Sequence, residues 1–365
     1  MRKRWLPVWM LLMLLPGVCL ASGSWLSFTE KDAPLDRGFL VGEYSGTVTV
    51  TFLGDCTLGG EESMRRNGLS YWKRIADNGP EFPMRYLSAL TRTDDLSVAN
   101  LEGVLTDRAL QKVEKRFNFS GPTSFADILT AGGIDCVTLA NNHSHDYGEE
   151  GYRDTKAALD AVGVRYFGTD CMAVWINDEG LMIGFTGVSN SLSGNRAKRY
   201  ARQVALLREM GCAAVITVMH AGTEYDYVPD AYQAQIVQRA MENGVDLVVG
   251  HHPHVVQGYR IEKNGLPVVY SLGNCSFGGT TRAKDSDALI VQADLHFTEN
   301  ELQGLTLRFF PISITSDPRY NNYSPAFLTG RDAERVLKKM RDSTGFDFGP
   351  FDEKTGAPVD CPRER

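Results

Sequence analysis

Short β-branched runs recur along this chain with helical stretches between them, and each run ends in polar residues. The runs are GTVTVTFLG (46–54), LSVANLE (96–102), IDCVTLA (134–140), AAVITVMH (213–220), VDLVVG (245–250) and LPVVYSLG (266–273). Such β-branched runs read as strands, and their alternation with helices predicts a layered α/β core. The spacing between them predicts helices over 123–132, 149–162, 197–210 and 230–243, closed at Gly132, Gly163, Gly211 and Gly244.

Farther along, the pattern changes. Residues 173–188 read as a hairpin turning at Asp178–Gly180, and 287–315 as two strands joined near Glu299–Gly304, which implies a second sheet. This places one domain over 46–316, preceded by a linker over 22–45 and followed by a C-terminal extension, 317–365, with one helix over 330–342. There is no internal repeat. A chain of 365 residues that is 43% hydrophobic can bury one large core or two ordinary ones.

A net charge of -7 argues against nucleic acid as a partner, because phosphate-backbone affinity needs a dense Lys/Arg surface. The most basic stretch, NRAKRYARQVALLREMG (195–211), reads as an amphipathic helix with its cations facing water. At the N-terminus, Arg2, Lys3 and Arg4 precede the apolar run Trp5–Leu20, followed by Ala21, Ser22 and Gly23. Residues 1–21 therefore read as a signal peptide or membrane anchor that puts the body outside the cytoplasm, secreted or held at the membrane. Beyond this leader lie Cys56, Cys136, Cys171, Cys212, Cys275 and Cys361, an even set that an oxidising compartment could pair. Cys136 and Cys212 fall in or beside apolar runs and read as buried free thiols, and no CxxC pair offers a cysteine zinc site.

In open α/β sheets the binding crevice lies beyond the carboxyl ends of the strands. The polar residues at those ends are Asp55, Asn100, Glu102, Asn141, Asn142, His143, Asp146, His220, His252, His254 and Asn274. Carboxylates, imidazoles and an asparagine form a mixed oxygen and nitrogen ligand set that suits Mn, Fe or Zn. A pair of such ions about 3.5–4 Å apart could clamp the oxygens of a phosphoryl displacement or activate water for other hydrolyses. In GHHPHVVQG (250–258), His252 and His254 would share one side of an extended segment that Pro253 keeps out of helical conformation. Each residue also has a plainer reading: a capping Asp55, a surface Glu102, turn-forming Asn141 and Asn142, hydrogen-bonded structural histidines. Their convergence on one edge favours metal. His145 and His296 read as structural or exposed.

In that order, FLGDCTLGG, ANLEG, LANNHSHDYG, HAGTEY, GHHPHVVQG and YSLGNCSF make the chain resemble, over about 47–280, the capsule-synthesis proteins of the poly-γ-glutamate biosynthesis (CapA/PgsA) type. These are relatives of the calcineurin-like metallophosphoesterases. The resemblance implies a four-layer αββα sandwich of two packed mixed β-sheets, with two divalent ions (Mn, Zn or Fe) at the strand ends. Under it, Asp55, Glu102, Asn142, His220, His252 and His254 match the metal ligands. His143 matches the histidine that protonates a leaving oxygen, with Asp146 as its orienting partner. Asn100, Asn141, Glu224 and Asn274, from the same motifs, are candidate substrate-binding residues.

The chain departs from the pattern at several points. Thr57 stands where metallophosphoesterases place a histidine and Glu102 where they use aspartate, while Ala221 and Cys275 replace aromatic residues usual in the capsule-type pattern. Cys56 and Cys275 each follow a motif residue, which makes them a candidate disulfide. The resemblance implies either an exported metal-dependent hydrolase of a phosphoester or anionic polymer, or a non-catalytic accessory subunit of a membrane-bound capsule synthesis complex.

Overall fold

The computed structural model describes residues 23–33 and 42–363, so the expected leader over 1–21 lies outside the described residues. In chain order the elements are β1 Ser24–Phe28, β2 Gly46–Thr57, α1 Tyr71–Asn78, α2 Ser88–Thr91, β3 Leu96–Leu101, β4 Val104–Leu105, β5 Ser120–Gly121, α3 Asp127–Ala131, β6 Cys136–Thr138, α4 Gly148–Val162, β7 Arg165–Phe167, β8 Met172–Ile176 and β9 Met182–Ser189. They continue with α5 Gly194–Glu209, β10 Ala214–His220, α6 Ala231–Glu242, β11 Leu247–His251, β12 Val256–Ile261, β13 Pro267–Leu272, β14 Asn274–Phe277, β15 Asp287–Thr298, β16 Glu301–Ser313, β17 Ala326–Phe327, α7 Gly330–Thr344 and β18 Ala357–Pro362.

Two large mixed sheets carry the fold. One has seven strands in the order β1-β8-β9-β10-β11-β13-β12; the other runs β17-β16-β15-β2-β3-β6-β7, with β14 beside β2 and β18 beside β16. Their facing sides interlock in one core, where Val50 and Phe52 of β2 and Val98 of β3 pack with Phe185 of β9, Ile216 of β10 and Val249 of β11. Helices α5 and α6 cover the outside of the first sheet through Val204, Leu207, Ile236 and Val237. Helices α1, α3 and α4 cover the second through Tyr71, Ile128, Leu129 and Leu159. The four expected layers are therefore present, and strands buried on both faces explain why the runs carry so few polar positions.

Local chemistry accounts for the joints. Asp230 caps α6 by accepting from the backbone N–H groups of Tyr232 and Gln233, and Gln233 returns the bond, a reciprocal capping box. At the end of α4, Gly163 adopts φ 80°, a left-handed turn that costs a glycine little. The β15–β16 hairpin turns on Glu299 and Asn300, both at positive φ, matching the strand twist as a primed turn does.

Segments on either side of 46–316 also join the sheets. Within the expected linker, Ser24–Phe28 pairs antiparallel with β8 and closes an edge of the seven-stranded sheet. Beyond 316 the extension carries its expected helix, α7, which buries Val336, Leu337 and Met340 in the core between the sheets, and β17 and β18 both pair with β16. The physical reason is the long edge of β16, whose backbone donors and acceptors need partners. Among the described residues, no helix is long and apolar enough to cross a membrane.

Candidate metal centre

Strand parity delivers the site. Ile216 and Val218 face the inter-sheet core, so His220, two residues on, faces the same way at the end of β10; Leu247 and Val249 do the same for His251 at the end of β11. In β3, Leu96 and Val98 set the face on which Asn100 and then Glu102 emerge. Strand β2 breaks parity: Phe52 faces the inter-sheet core and Leu53 the outer layer, which would send Asp55 outward. A register shift between Leu53 and Asp55 against β3 turns Asp55 back into the site. Gly54 allows this, since a Cβ there would sit 2.3 Å from the carbonyl oxygen of Gly273.

Asp55 is fully buried and held from several sides. Asn100 Nδ2 donates to its Oδ1 at 2.8 Å. His251 Nδ1 lies 3.1 Å from Oδ1, and His254 Nδ1 lies 3.2 Å from Oδ2. Burial alone would raise the Asp55 carboxyl, but the imidazoles of His251 and His254 hold it well below the usual carboxylate value. His220 Nε2 stands 2.8 Å from Asn142 Oδ1, 3.1 Å from His252 Nδ1 and 3.5 Å from Glu102 Oε1. Burial, reinforced by the neighbouring His252, lowers His220 well below its ordinary value, leaving a neutral imidazole with lone-pair character.

Glu102 sits at the centre. It is fully buried, yet neither carboxylate oxygen has a hydrogen-bond partner. Burial pushes its carboxyl up to about 8, against the pull of His254. The side chain belongs to two groups of potential ligand atoms, Glu102 with His220 and His252, and Glu102 with Asp55 and His254, each group within 4.8 Å. A buried carboxylate without partners is costly unless a cation compensates it. Orphaned oxygens shared by two groups of imidazole-containing ligand atoms fit a divalent cation.

Beside this cluster His143 Nδ1 bonds Asp146 Oδ2 at 2.7 Å, and His143 Nε2 lies 4.0 Å from Glu102 Oε1. Burial lowers the His143 imidazole, with Asp146 opposing. The ring of Phe119 stacks on His143 at 4.3 Å, and its backbone N–H donates to Asp146 Oδ2 at 2.6 Å. Lys115 forms an ion pair with Asp146 Oδ1 and donates to the carbonyl oxygen of Asn142 at 2.8 Å.

All six candidate ligands, Asp55, Glu102, Asn142, His220, His252 and His254, meet here, as do His143 and Asp146. The candidate substrate-binding residues divide. The amides of Asn100, Asn141 and Asn274 are engaged by protein: Asn141 Nδ2 donates to Asn100 Oδ1 at 2.9 Å, and Asn274 Oδ1 lies 2.9 Å from His254 Nδ1. Glu224 stays at the exposed rim, near enough for its charge to act on His252. His252 and His254 both reach the site, but not through an extended segment. Their φ angles are 98° and 56°, a kinked conformation that non-glycine residues adopt at a cost of about 1–3 kcal/mol.

Three neighbours escaped the sequence reading. His251 was legible from parity with Val249; Lys115 and Phe119 lie in and beside an irregular segment between β4 and β5 that carries no periodic signal. His296 is structural as expected, bridging Thr47 and Thr306, and His145 is half-exposed against Glu149. Thr57 is buried with its hydroxyl unpartnered. The candidate disulfide is absent: Cys56 and Cys275 are neighbouring free thiols, and Cys136, Cys171, Cys212 and Cys361 are also free and buried.

The chain is similar to the capsule biosynthesis protein CapA of Bacillus anthracis, 29% identical over 297 residues that cover 74% of this chain and 68% of that protein. It is similar to the PGA biosynthesis protein CapA of Bacillus subtilis (strain 168), 30% identical over 268 residues, 67% of each chain. A probable polyglutamine synthesis accessory protein of Mycobacterium tuberculosis is 28% identical over 225 residues, 49% of this chain and 57% of that one. The family described as bacterial capsule synthesis protein PGA_cap matches residues 49–278, the span that holds every candidate ligand, and with more than half of its length inside that match this chain belongs to the family.

Proposed function

We propose that this protein is an exported metal-dependent hydrolase of capsule or poly-γ-glutamate synthesis, acting on a phosphoester or on the anionic polymer itself. The observation that carries the reading is Glu102, buried without a hydrogen-bond partner and shared by two ligand groups. Asp55, Asn142, His220, His252 and His254 would complete the coordination of two ions, whose identity as Mn, Zn or Fe the donor set leaves open. Bound there, divalent ions supply Lewis acidity toward a substrate oxygen.

The chain's own residues do the rest. Asp146 holds His143 by Nδ1, so that Nε2 faces the cluster as the atom able to take and return a proton. Lys115 neutralises Asp146, and the Phe119 ring keeps water off one face of the imidazole. The leader expected over 1–21 would place the protein outside the cytoplasm, secreted or anchored beside a membrane-bound synthesis complex. The test is hydrolysis of a generic phosphoester and of poly-γ-glutamate with Mn or Zn, comparing wild type with His143→Ala. Hydrolysis should be lost while metal content stays; full activity in the variant removes His143 from the mechanism.

Thr57, standing where a histidine ligand is usual, favours a second reading as a non-catalytic accessory subunit. Under that reading a folded variant lacking both His252 and His254 restores surface polymer to a deletion strain, and under the hydrolase reading it does not.

A further inference from the structure

A cavity of about 200 Å³ lies beside the metal centre, between the C-terminal end of β9 and the first turns of α5. Asn141, whose amide is tied to Asn100 in the metal centre, forms part of its wall. Ser189 lines it too, directly across the β9–β10 pair from His220.

The polar groups around this cavity fall into two sets. Gln203 and Tyr200 are satisfied by the protein: Gln203 accepts from the Thr186 hydroxyl at 2.8 Å and donates to the Thr169 carbonyl at 3.1 Å, while the Tyr200 hydroxyl meets that of Thr217 at 2.8 Å. The second set has no such partners. The Ser189 hydroxyl is buried without a hydrogen-bond partner. Arg196 and Arg199, three residues apart and so on one face of α5, line the cavity and enter no ion pair among the described residues. Lys156, Arg202 and Arg208, by contrast, are all matched with carboxylates. As expected for the cations of 195–211, both are exposed, but they also border this cavity.

Two adjacent guanidinium groups repel each other, and an isolated buried hydroxyl lacks a partner; one bound anion with in-plane acceptor oxygens relieves both. Planar guanidinium forks match a carboxylate in two-point fashion, and the start of a helix adds a favourable field for negative charge. We infer that this cavity is a carboxylate-binding site, in which Arg196, Arg199 and the Ser189 hydroxyl hold one carboxylate of an anionic chain while an adjoining unit lies over the metal ligands. This rests on the polymer reading of the function for its choice of ligand, but the site itself is defined by its own residues.

The experiment is a calorimetric titration of the full chain with tri-γ-glutamate at low salt, with and without chelator. The same protein is titrated with inorganic phosphate. Wild type should bind the trimer more tightly than phosphate, including in chelator. The double variant Arg196→Gln/Arg199→Gln should lose at least about tenfold in affinity, since charge-assisted bonds are lost. Its metal content and melting temperature should match wild type, because both side chains are exposed. Ser189→Ala should weaken binding by a smaller factor. Undiminished trimer binding in the double variant overturns the inference, and so does arginine-dependent binding of phosphate alone. Arginine-dependent trimer binding in a protein that hydrolyses nothing keeps the cavity and sinks only the hydrolase reading.

Discussion

Replacing Glu102 by glutamine separates the two roles its position implies. The substitution keeps the shape and removes the charge. In metal-free protein the carboxyl is buried with no hydrogen bond to either oxygen, and burial, which disfavours its ionised form, holds it up to about 8. A group raised in this way favours the folded state most below its ordinary value of 4.5, and that advantage is lost as pH rises through about 8. Glutamine escapes the charge cost, though its amide still lacks partners, so Glu102→Gln should stabilise the metal-free fold by about 1–3 kcal/mol near neutral pH. For a domain of this size that corresponds to a rise of about 2–6 °C in melting temperature. With Mn or Zn added the order should reverse. Wild type gains stability from ion binding, while the variant, stripped of the one ligand shared by both groups, should lose more than about a hundredfold in affinity and gain nothing. Thermal melts in chelator and in metal, with elemental analysis of the dialysed protein, read both effects. A variant that melts lower than wild type in chelator and still retains its metals would refute the reasoning.

Gly54→Ala should lower the melting temperature and release metal together, because a Cβ 2.3 Å from the Gly273 carbonyl oxygen forces β2 away from the chain entering β14 and takes Asp55 with it; circular dichroism melts and metal analysis check this. Asp287→Asn probes a different place, where Arg335 and Lys339 grip the carboxylate at 2.8 Å each and, against the raising effect of burial, hold it below its ordinary value of 3.8. Its contribution, about 1 kcal/mol after solvent screening, should be present at neutral pH and vanish as pH falls below 3.8, so the melting curves of wild type and variant should converge in acid. Lys115→Ala should leave metal content unchanged and slow any hydrolysis less than His143→Ala does, since Lys115 acts through Asp146; comparing pH–rate profiles of the two variants checks the order.

Much of the architecture was legible because buried strands favour apolar and β-branched residues: β10, β11 and β13 are nearly all apolar, and β2 alternates Thr with Val and Phe. The rim was legible for the same reason: a polar residue ending such a run has nowhere to point but the crevice. Elements at the edges were not. Ser24–Phe28 carries two serines and is partly exposed, and Ala357–Pro362 includes two prolines that only an edge position tolerates. The short helix Tyr71–Asn78 buries only Tyr71. Within the site, Asp55 and the His252–His254 kink depend on a bulge and on positive φ angles, backbone events that residue alternation cannot encode. Lys115 reaches Asp146 from an irregular segment, where contact follows from tertiary packing alone.

The central claim is that side chains from both sheets meet around Glu102 to grip cations. Counting ions per chain, by elemental analysis of protein loaded with Mn or Zn and freed of excess, tests it most directly. The account predicts two ions per wild-type chain, falling when Glu102 is replaced by glutamine. A chain that holds no ion after loading, with its fold intact, would contradict it.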